Sequence, residues 1–284
     1  MRYVIYNPLS CNGKGNDIKN KFLDEYKSKF DDLVPINGLT LKQDEFRNKL
    51  NDEDEIILIG GDGTINVFLN KYLRNDIKNK IFLYGGGSGN DFSKDIGTPP
   101  YTLVEITKYL KNCPYVIVKG GKRYFLNNVG FGIDGKVCYT AEELKKKKKK
   151  FNYTAIAAKL LLLLRKKVAV VRVDGKRYVY KNVILAASMN GKYYGGGMKN
   201  APDQDRLSDE LTLVVLHARS NLHAMFRFPK MIKGEHYKYK KIVAIHKGKS
   251  IDVTFNKPEY IQVDGEVLGK YTHYKAIKEI NNEK

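Results

Sequence analysis

Short apolar runs alternate with helical spacings over the first third of the chain, and with further apolar runs over the remainder. Residues 3–6 (Tyr-Val-Ile-Tyr) read as a strand ending in a polar turn at 7–15, after which Phe22, Leu23, Tyr26 and Phe30 share one helix face. Residues 33–39 are the second predicted strand, 40–50 a helix and 55–59 the third strand; Ile65, Phe68, Leu69, Tyr72 and Leu73 mark the next helix. A fourth strand covers 81–84, and a helix is expected through Leu103, Ile106 and Leu110. Strands and helices in alternation predict a parallel sheet with ligands at the carboxyl ends of its strands.

The pattern changes near Cys113-Pro114. From there β-branched and aromatic runs dominate, and strands are expected at 115–118, 123–129, 168–173, 178–189, 211–216, 241–244, 251–255 and 260–263. Helical insertions are expected at 134–164 and 220–233. Two domains follow, 1–113 and 114–284, the second an antiparallel β domain.

Glycines punctuate the strand ends of the first domain. Gly60-Gly61-Asp62-Gly63-Thr64 joins the third strand to a helix, and Gly85-Gly86-Gly87-Ser88-Gly89-Asn90-Asp91-Phe92 follows the fourth. Glycine tolerates positive φ and, lacking a Cβ, lets backbone N–H groups approach an anion at a helix N-terminus. Three such turns in one sheet point to a phosphate site, with Thr64 expected as the helix N-cap. Asp62 is the unusual member, because a carboxylate repels phosphate unless a divalent cation bridges them. That combination implies a nucleotide with magnesium. No Gly-x-x-x-x-Gly-Lys-Ser/Thr spacing occurs, so the turns are not a P-loop. Gly130-Phe131-Gly132-Ile133-Asp134-Gly135 matches Gly-x-Gly-x-x-Gly literally, but it sits among strands with no acid about 20 residues on, and reads as a tight strand-to-helix turn.

Composition narrows the partners. The formal net charge is +20, and the six consecutive lysines at 145–150 supply six of it, so an anionic partner is expected. Two readings of the lysine run stand side by side, a solvated face or a patch meeting an anionic bilayer. The leucines at 160–164 are too few to span a membrane, and read as core or as the wall of an acyl-chain groove. No signal peptide is expected, and three cysteines without ligand spacing suit a reducing cytoplasm. The five histidines show no metal-ligand spacing either.

Asn7-Pro8, the 60–64 stretch followed by Ile65-Asn66, and Gly87-Ser88-Gly89-Asn90-Asp91-Phe92 resemble the three signatures of the diacylglycerol kinase and sphingosine kinase superfamily, specifically its bacterial soluble lipid kinases. Similar segments continue through Asn127-Asn128-Val129-Gly130, Gly195-Gly196-Gly197-Met198, Ala201-Pro202 and Val263-Asp264-Gly265-Glu266. The resemblance implies a two-lobed α/β fold, with a Rossmann-like parallel domain, a β-sandwich-like domain, a nucleotide crevice between them and a C-terminal segment that can return to the first domain. It implies ATP as phosphoryl donor, Mg2+, and a membrane lipid as acceptor, diacylglycerol first, at the inner face of the membrane. Nucleotide contacts would fall on Asn7, Pro8, Ser10, Thr40, Gly60, Gly61, Asp62, Gly63, Thr64, Asn66, Ser88, Asn90 and Asp91. Asp62 would serve the nucleotide's magnesium. Further along, a structural magnesium would be held by the Asp209 carboxylate and the carbonyls of Arg206 and Leu211, and Glu266 would be the base that takes the lipid hydroxyl proton. Within the superfamily the base is sometimes the aspartate of the 60–64 stretch, so Asp62 is the second candidate. Departures from the pattern are Cys11 where relatives often carry glycine, Ser88 for threonine, and Asp209-Glu210 for Asp-Gly.

Two other readings compete. NAD kinases share the Gly-Gly-Asp-Gly-Thr loop, but carry an Asn-Glu pair where this chain has Asn90-Asp91-Phe92. A basic nucleic-acid binder would explain the charge but neither the glycine turns nor Asp62, so no nucleic acid is expected. A homodimer is left open.

Overall fold

The computed structural model describes residues 1–72, 78–86, 90–150, 152–165 and 167–279. The chain divides into two units, Met1–Cys113 and Pro114–Lys284.

The first unit is a five-stranded sheet, with β1 (Arg2–Tyr6), β2 (Leu33–Asn37), β3 (Glu55–Gly60), β4 (Lys80–Gly85) and the three-residue β5 (Leu103–Glu105) in the order β2-β1-β3-β4-β5. The first four are parallel and β5 is antiparallel to β4. Its helices are α1 (Ser10–Gly13), α2 (Gly15–Tyr26), α3 (Gln43–Lys49), α4 (Asp62–Lys71), α5 (Asp91–Asp95) and α6 (Thr107–Lys111). Ile56, Ile57, Leu58 and Ile59 are all buried, as a central parallel strand covered on both faces requires. The order reverses between β1 and β3, and the loops after these two strands flank that switch point.

The second unit contains β6 (Tyr115–Val118), β7 (Gly121–Tyr124), β8 (Asn128–Gly132), α7 (Ile133–Lys146), α8 (Tyr153–Leu163), β9 (Lys167–Val173), β10 (Lys176–Met189), β11 (Leu211–His217), α9 (Asn221–Ile232), β12 (Val243–Gly248), β13 (Ser250–Val263) and β14 (Glu266–Ile277). The strand order is β12-β11-β10-β8-β13-β14-β6-β7, with β9 off this path. Two long strands organise it. The far half of β10 (Leu185 to Met189) pairs with β8 and its near half with β9, while β13 pairs with β9 through Ile251 to Phe255 and with β8 through Ile261 to Val263. Irregularities at Val183/Leu185 and between Thr254 and Glu259 bend the strands where the partner changes. Asp174-Gly175 and Asp264-Gly265, with positive φ at both residues, close hairpins in the conformation that Asp-Gly favours.

Several expectations are corrected here. Leu103 lies in β5 and not in a helix, since its spacing with Ile106 and Leu110 spans an edge strand and then α6. The single strand expected at 123–129 is two, β7 and β8, and the two expected at 251–263 are one bent strand. Within the second unit, β14 pairs with β13 and β6. Gly130, Gly132 and Gly135 serve packing, since a Cβ on Gly135 would lie 2.2 Å from the Tyr260 carbonyl oxygen and one on Gly132 2.3 Å from that of Ile184.

Candidate active site

In the first unit, the loops after β1, β2, β3 and β4 all lie at the carboxyl end of the sheet. The β1 loop is folded tightly. The Asn7 carbonyl accepts from Ser10 N at 3.0 Å and Ser10 Oγ at 2.7 Å, its side chain accepts from Leu9 N at 2.9 Å, and a Cβ on Gly15 would lie 1.9 Å from that carbonyl oxygen. Cys11, where relatives often have glycine, takes φ 55°. The position is thus left-handed, which explains the family's glycine; here a side chain is carried there at a cost of about 1–2 kcal/mol. Thr40 closes the turn after β2, bonding the Asn37 carbonyl through N and Oγ1.

After β3 the chain turns into α4 with Gly61 as N-cap, so Thr64 is not the cap but sits in the first helical turn, its N–H bonded to the Gly61 carbonyl at 2.9 Å. A Cβ on Gly60 would lie 2.1 Å from Thr64 Oγ1, which fixes glycine there by close approach. Gly63 is different. Among the described residues a Cβ on it would meet nothing within 4 Å; its φ is not positive, and it is exposed in the first turn of a helix. Glycine there costs about 0.5–1 kcal/mol relative to alanine, and no packing among the described residues requires it.

Asp62 ties this loop to the next. Its Oδ2 accepts from Asp91 N at 3.0 Å and its Oδ1 from Phe92 N at 3.3 Å, so the carboxylate caps α5 across the sheet edge. Asn90, the α5 N-cap residue, has a buried Oδ1 with no hydrogen-bond partner among the described residues. Asn66 is buried in α4 and accepts from Asn70 Nδ2. Gly86 N reaches the Gly60 carbonyl at 3.4 Å. Ser88, expected to contact nucleotide, lies outside the described residues, as do Gly87 and Gly89.

In the second unit Glu266 opens β14 just after the Asp264-Gly265 turn, about half exposed and paired with Arg123. The turn is firmly held: Asp264 accepts from the amides of Leu126 (2.6 Å), Asn127 (2.7 Å) and Asn128 (3.0 Å). Gln262 adds a second fastening, accepting from Gly265 N at 2.8 Å and donating to Asp134 Oδ2 at 3.1 Å. Burial pushes the Asp134 carboxyl up to about 6. Nearby, Lys278 is buried with its ammonium on Asn190 Oδ1 and the Arg206 carbonyl, both at 2.7 Å, and Arg206 reaches the Leu126 carbonyl and Asn127 Oδ1.

Residues 2–115 match the family described as diacylglycerol kinase catalytic domain, and residues 127–278 the YegS C-terminal NAD kinase beta sandwich-like domain. The chain belongs to the diacylglycerol kinase superfamily of lipid kinases. It is 26% identical over 278 residues to a diacylglycerol kinase of Bacillus subtilis (strain 168), and 24% identical over the same length to one of Staphylococcus carnosus (strain TM300); each match covers 94% of this chain and 89% of the relative. Two crystal structures of Bacillus anthracis str. Sterne proteins superpose with TM-scores of 0.70 and 0.64 at 21% and 20% identity. Each covers 97% of this chain, with 92% and 93% of the other, and the second is described as a diacylglycerol kinase. They bear on the fold alone.

The expected site residues of this lipid kinase fall into two groups. The loop residues Asn7 to Ser10, Thr40, Gly60 to Asn66 and Asn90-Asp91 gather at one sheet edge in the first unit, whereas Glu266, Arg206, Asp209 and Leu211 belong to the second. A magnesium-bound nucleotide fits the first group, which offers the open face at Gly63, the orphaned Asn90 Oδ1 and a carboxylate of hard oxygens. The residues expected to hold the structural magnesium are otherwise engaged. The Arg206 carbonyl already accepts the Lys278 ammonium, the Asp209 carboxylate pairs with Lys249 at 2.5 Å, and Leu211 stands in the ladder opposite Gly248. Two would-be ligands thus already face cations. Among the described residues no three His, Cys, Asp or Glu side chains gather as metal ligands. Sequence reasoning missed Lys278 and the anchoring role of Asp264; the only available signal for the latter was its Asp-Gly turn.

Proposed function

We propose that the protein transfers the γ-phosphoryl group of ATP to the hydroxyl of a membrane lipid, with diacylglycerol as the first candidate acceptor and phosphatidic acid as product. The observation that carries this reading is Gly63, a glycine in the first turn of α4 whose Cβ position meets nothing within 4 Å among the described residues and whose φ does not call for glycine. Backbone N–H groups at that helix start and in the neighbouring glycine turns are disposed to receive phosphate oxygens, where the helix dipole favours negative charge. Asp62 would hold the nucleotide's metal, its carboxylate standing between the turn after β3 and the start of α5. A magnesium ion held by that carboxylate would supply charge neutralisation to the phosphate oxygens. Glu266 would take the proton from the acceptor hydroxyl. It is favoured over Asp62 because both Asp62 oxygens are engaged in capping α5, whereas Glu266 is about half exposed on a rigidly fastened turn. The names of the relatives support the choice of acceptor.

Gly63→Ala tests the carrying observation. The variant should fold with equal or slightly higher thermal stability, because alanine is the better helix former. Nucleotide binding and transfer to lipid should nevertheless fall by an order of magnitude or more, as the methyl group holds phosphate off the amides. Unchanged transfer would remove the phosphate site from this loop. Labelled ATP offered defined lipids in mixed micelles, with NAD alongside, identifies the acceptor class; labelling of NAD alone would replace the lipid reading.

A further inference from the structure

The face of α9 that packs inward carries Ala224 and Met231. Half a turn away, where a surface helix is ordinarily polar, stand Leu222 and Phe226 at i and i+4. Phe226 is 72% exposed and Leu222 52%. The end of α8 repeats the anomaly, with Leu163 67% exposed and Leu162 half exposed. The two helices are joined there, because Asn221 Nδ2 donates to the carbonyls of Leu162 (3.1 Å) and Leu164 (3.0 Å) at the C-terminal end of α8. Four large apolar side chains therefore project from neighbouring helix ends. The charges on the segments that carry them have one sign, although Lys230 and Lys146 at the margins pair with Glu235 and Glu143. No acidic residue occurs in the sequence between Glu143 and Asp174 or between Glu210 and Glu235, while the lysine run, Lys159, Arg165, Arg219, Arg227 and Lys230 all do. Projecting apolar groups rimmed only by cations on their own segments match the interfacial zone of an anionic bilayer, where aliphatic and aromatic groups reach the acyl boundary and basic groups meet lipid phosphates. A second copy of the chain suits the face less well, since a two-fold interface would oppose like charges.

We infer that the α8–α9 face, led by Phe226, Leu222 and Leu163, docks the protein on an anionic membrane surface. A bilayer, in preference to another anionic surface, follows from the lipid-kinase reading on which this docking rests. The sequence contains no tryptophan, so Phe226→Trp in the full chain is a lone reporter. With vesicles of phosphatidylglycerol and phosphatidylcholine its emission should shift to the blue and be quenched by lipids brominated in the acyl chain. Pure phosphatidylcholine vesicles, or high salt, should abolish the effect, and Val179→Trp, on the exposed part of β10, should stay unshifted. A Leu222→Ser/Phe226→Ser variant should bind the mixed vesicles about tenfold more weakly or worse, yet still phosphorylate a water-dispersed short-chain diacylglycerol. Absence of a shift, equal insertion into neutral vesicles, or a shift that needs no vesicles and follows protein concentration would each overturn the docking face. Phosphorylation of the dispersed lipid without insertion would sink docking alone, whereas insertion with no lipid phosphorylated would sink the kinase reading and leave docking in place.

Discussion

Asp62 and Glu266 illustrate how far a single residue's environment decides its role. Both are carboxylates near turns, yet one accepts two backbone amides across a sheet edge and the other pairs with an arginine on a hairpin. Glu266→Gln should leave nucleotide Kd unchanged while kcat on lipid falls about 10² to 10⁴, the usual worth of a general base. Asp62→Asn should weaken nucleotide binding as well, since it removes both charge and half of the α5 cap; the opposite division between Kd and kcat would exchange the two roles. Asp134 supports a prediction from pH. Its carboxyl is raised to about 6 by burial, with Glu259 adding to the rise and hydrogen bonds from Gln262 and Gly135 opposing it. The folded state therefore binds this proton more tightly than the unfolded chain does, and stability falls as pH rises from about 4 to 6, by of order 3 kcal/mol in all. Asp134→Asn should lose that slope, and denaturant titrations at pH 4 and 7 compare the two directly; equal slopes would mean the group is not held protonated. The 60–64 glycine turn and Asp62 were visible in the sequence because turn chemistry is local. The capping of α5 by Asp62 was not, because it joins residues 29 and 30 positions apart.

Elements were legible where their period was clean. The first four strands and the insertions that hold α7, α8 and α9 follow from apolar runs and spacing. β14 was not read as a strand at all: only Tyr274 and Ala276 among its residues are buried hydrophobics, so its outward face leaves little alternation to find. β5 is a three-residue edge strand that happens to share helical spacing with α6. The same limits hid Lys278, which follows β14 and places its ammonium on the Arg206 carbonyl, one of the oxygens the family resemblance assigns to magnesium. Removing it should leave the Asn190 side chain and the Arg206 carbonyl buried without a donor. Lys278→Met is thus expected to cost about 2–4 kcal/mol, from two unsatisfied acceptors. The melting temperature of the unaltered protein without nucleotide should be the same in EDTA as in magnesium, and Asp209→Ala, which loses only a surface pair with Lys249, should melt nearly as the parent does. A marked fall on chelation would restore a metal to this part of the second unit.

On the scale of the whole molecule, the net charge of +20 raises the expectation of an anionic partner, and the change from alternating to strand-rich patterning marked the two units. What composition could not give was the location of the charge relative to apolar surface, which depends on which sides of α8 and α9 face inward. The two units also differ in how their contacts are spread along the chain. In the first, each parallel strand joins its neighbours as soon as the next strand-helix pair follows it, and all of its residues precede Pro114. In the second, β8 and β9 both complete their pairing on β13, so that Phe131 must wait for Ile261 and Val171 for Val253. During synthesis, then, the amino-terminal unit can close while the ribosome is still elongating, but the other must keep β8 and β9 with one open edge each until Ser250 to Val263 has emerged. Nascent chains arrested before β13 should accordingly show a protease-resistant amino-terminal fragment and a sensitive remainder. Chains released after β14 should resist throughout. For a protein with exposed leucines and phenylalanine on α8 and α9, that interval of unpaired edges is the stage at which a chaperone matters most.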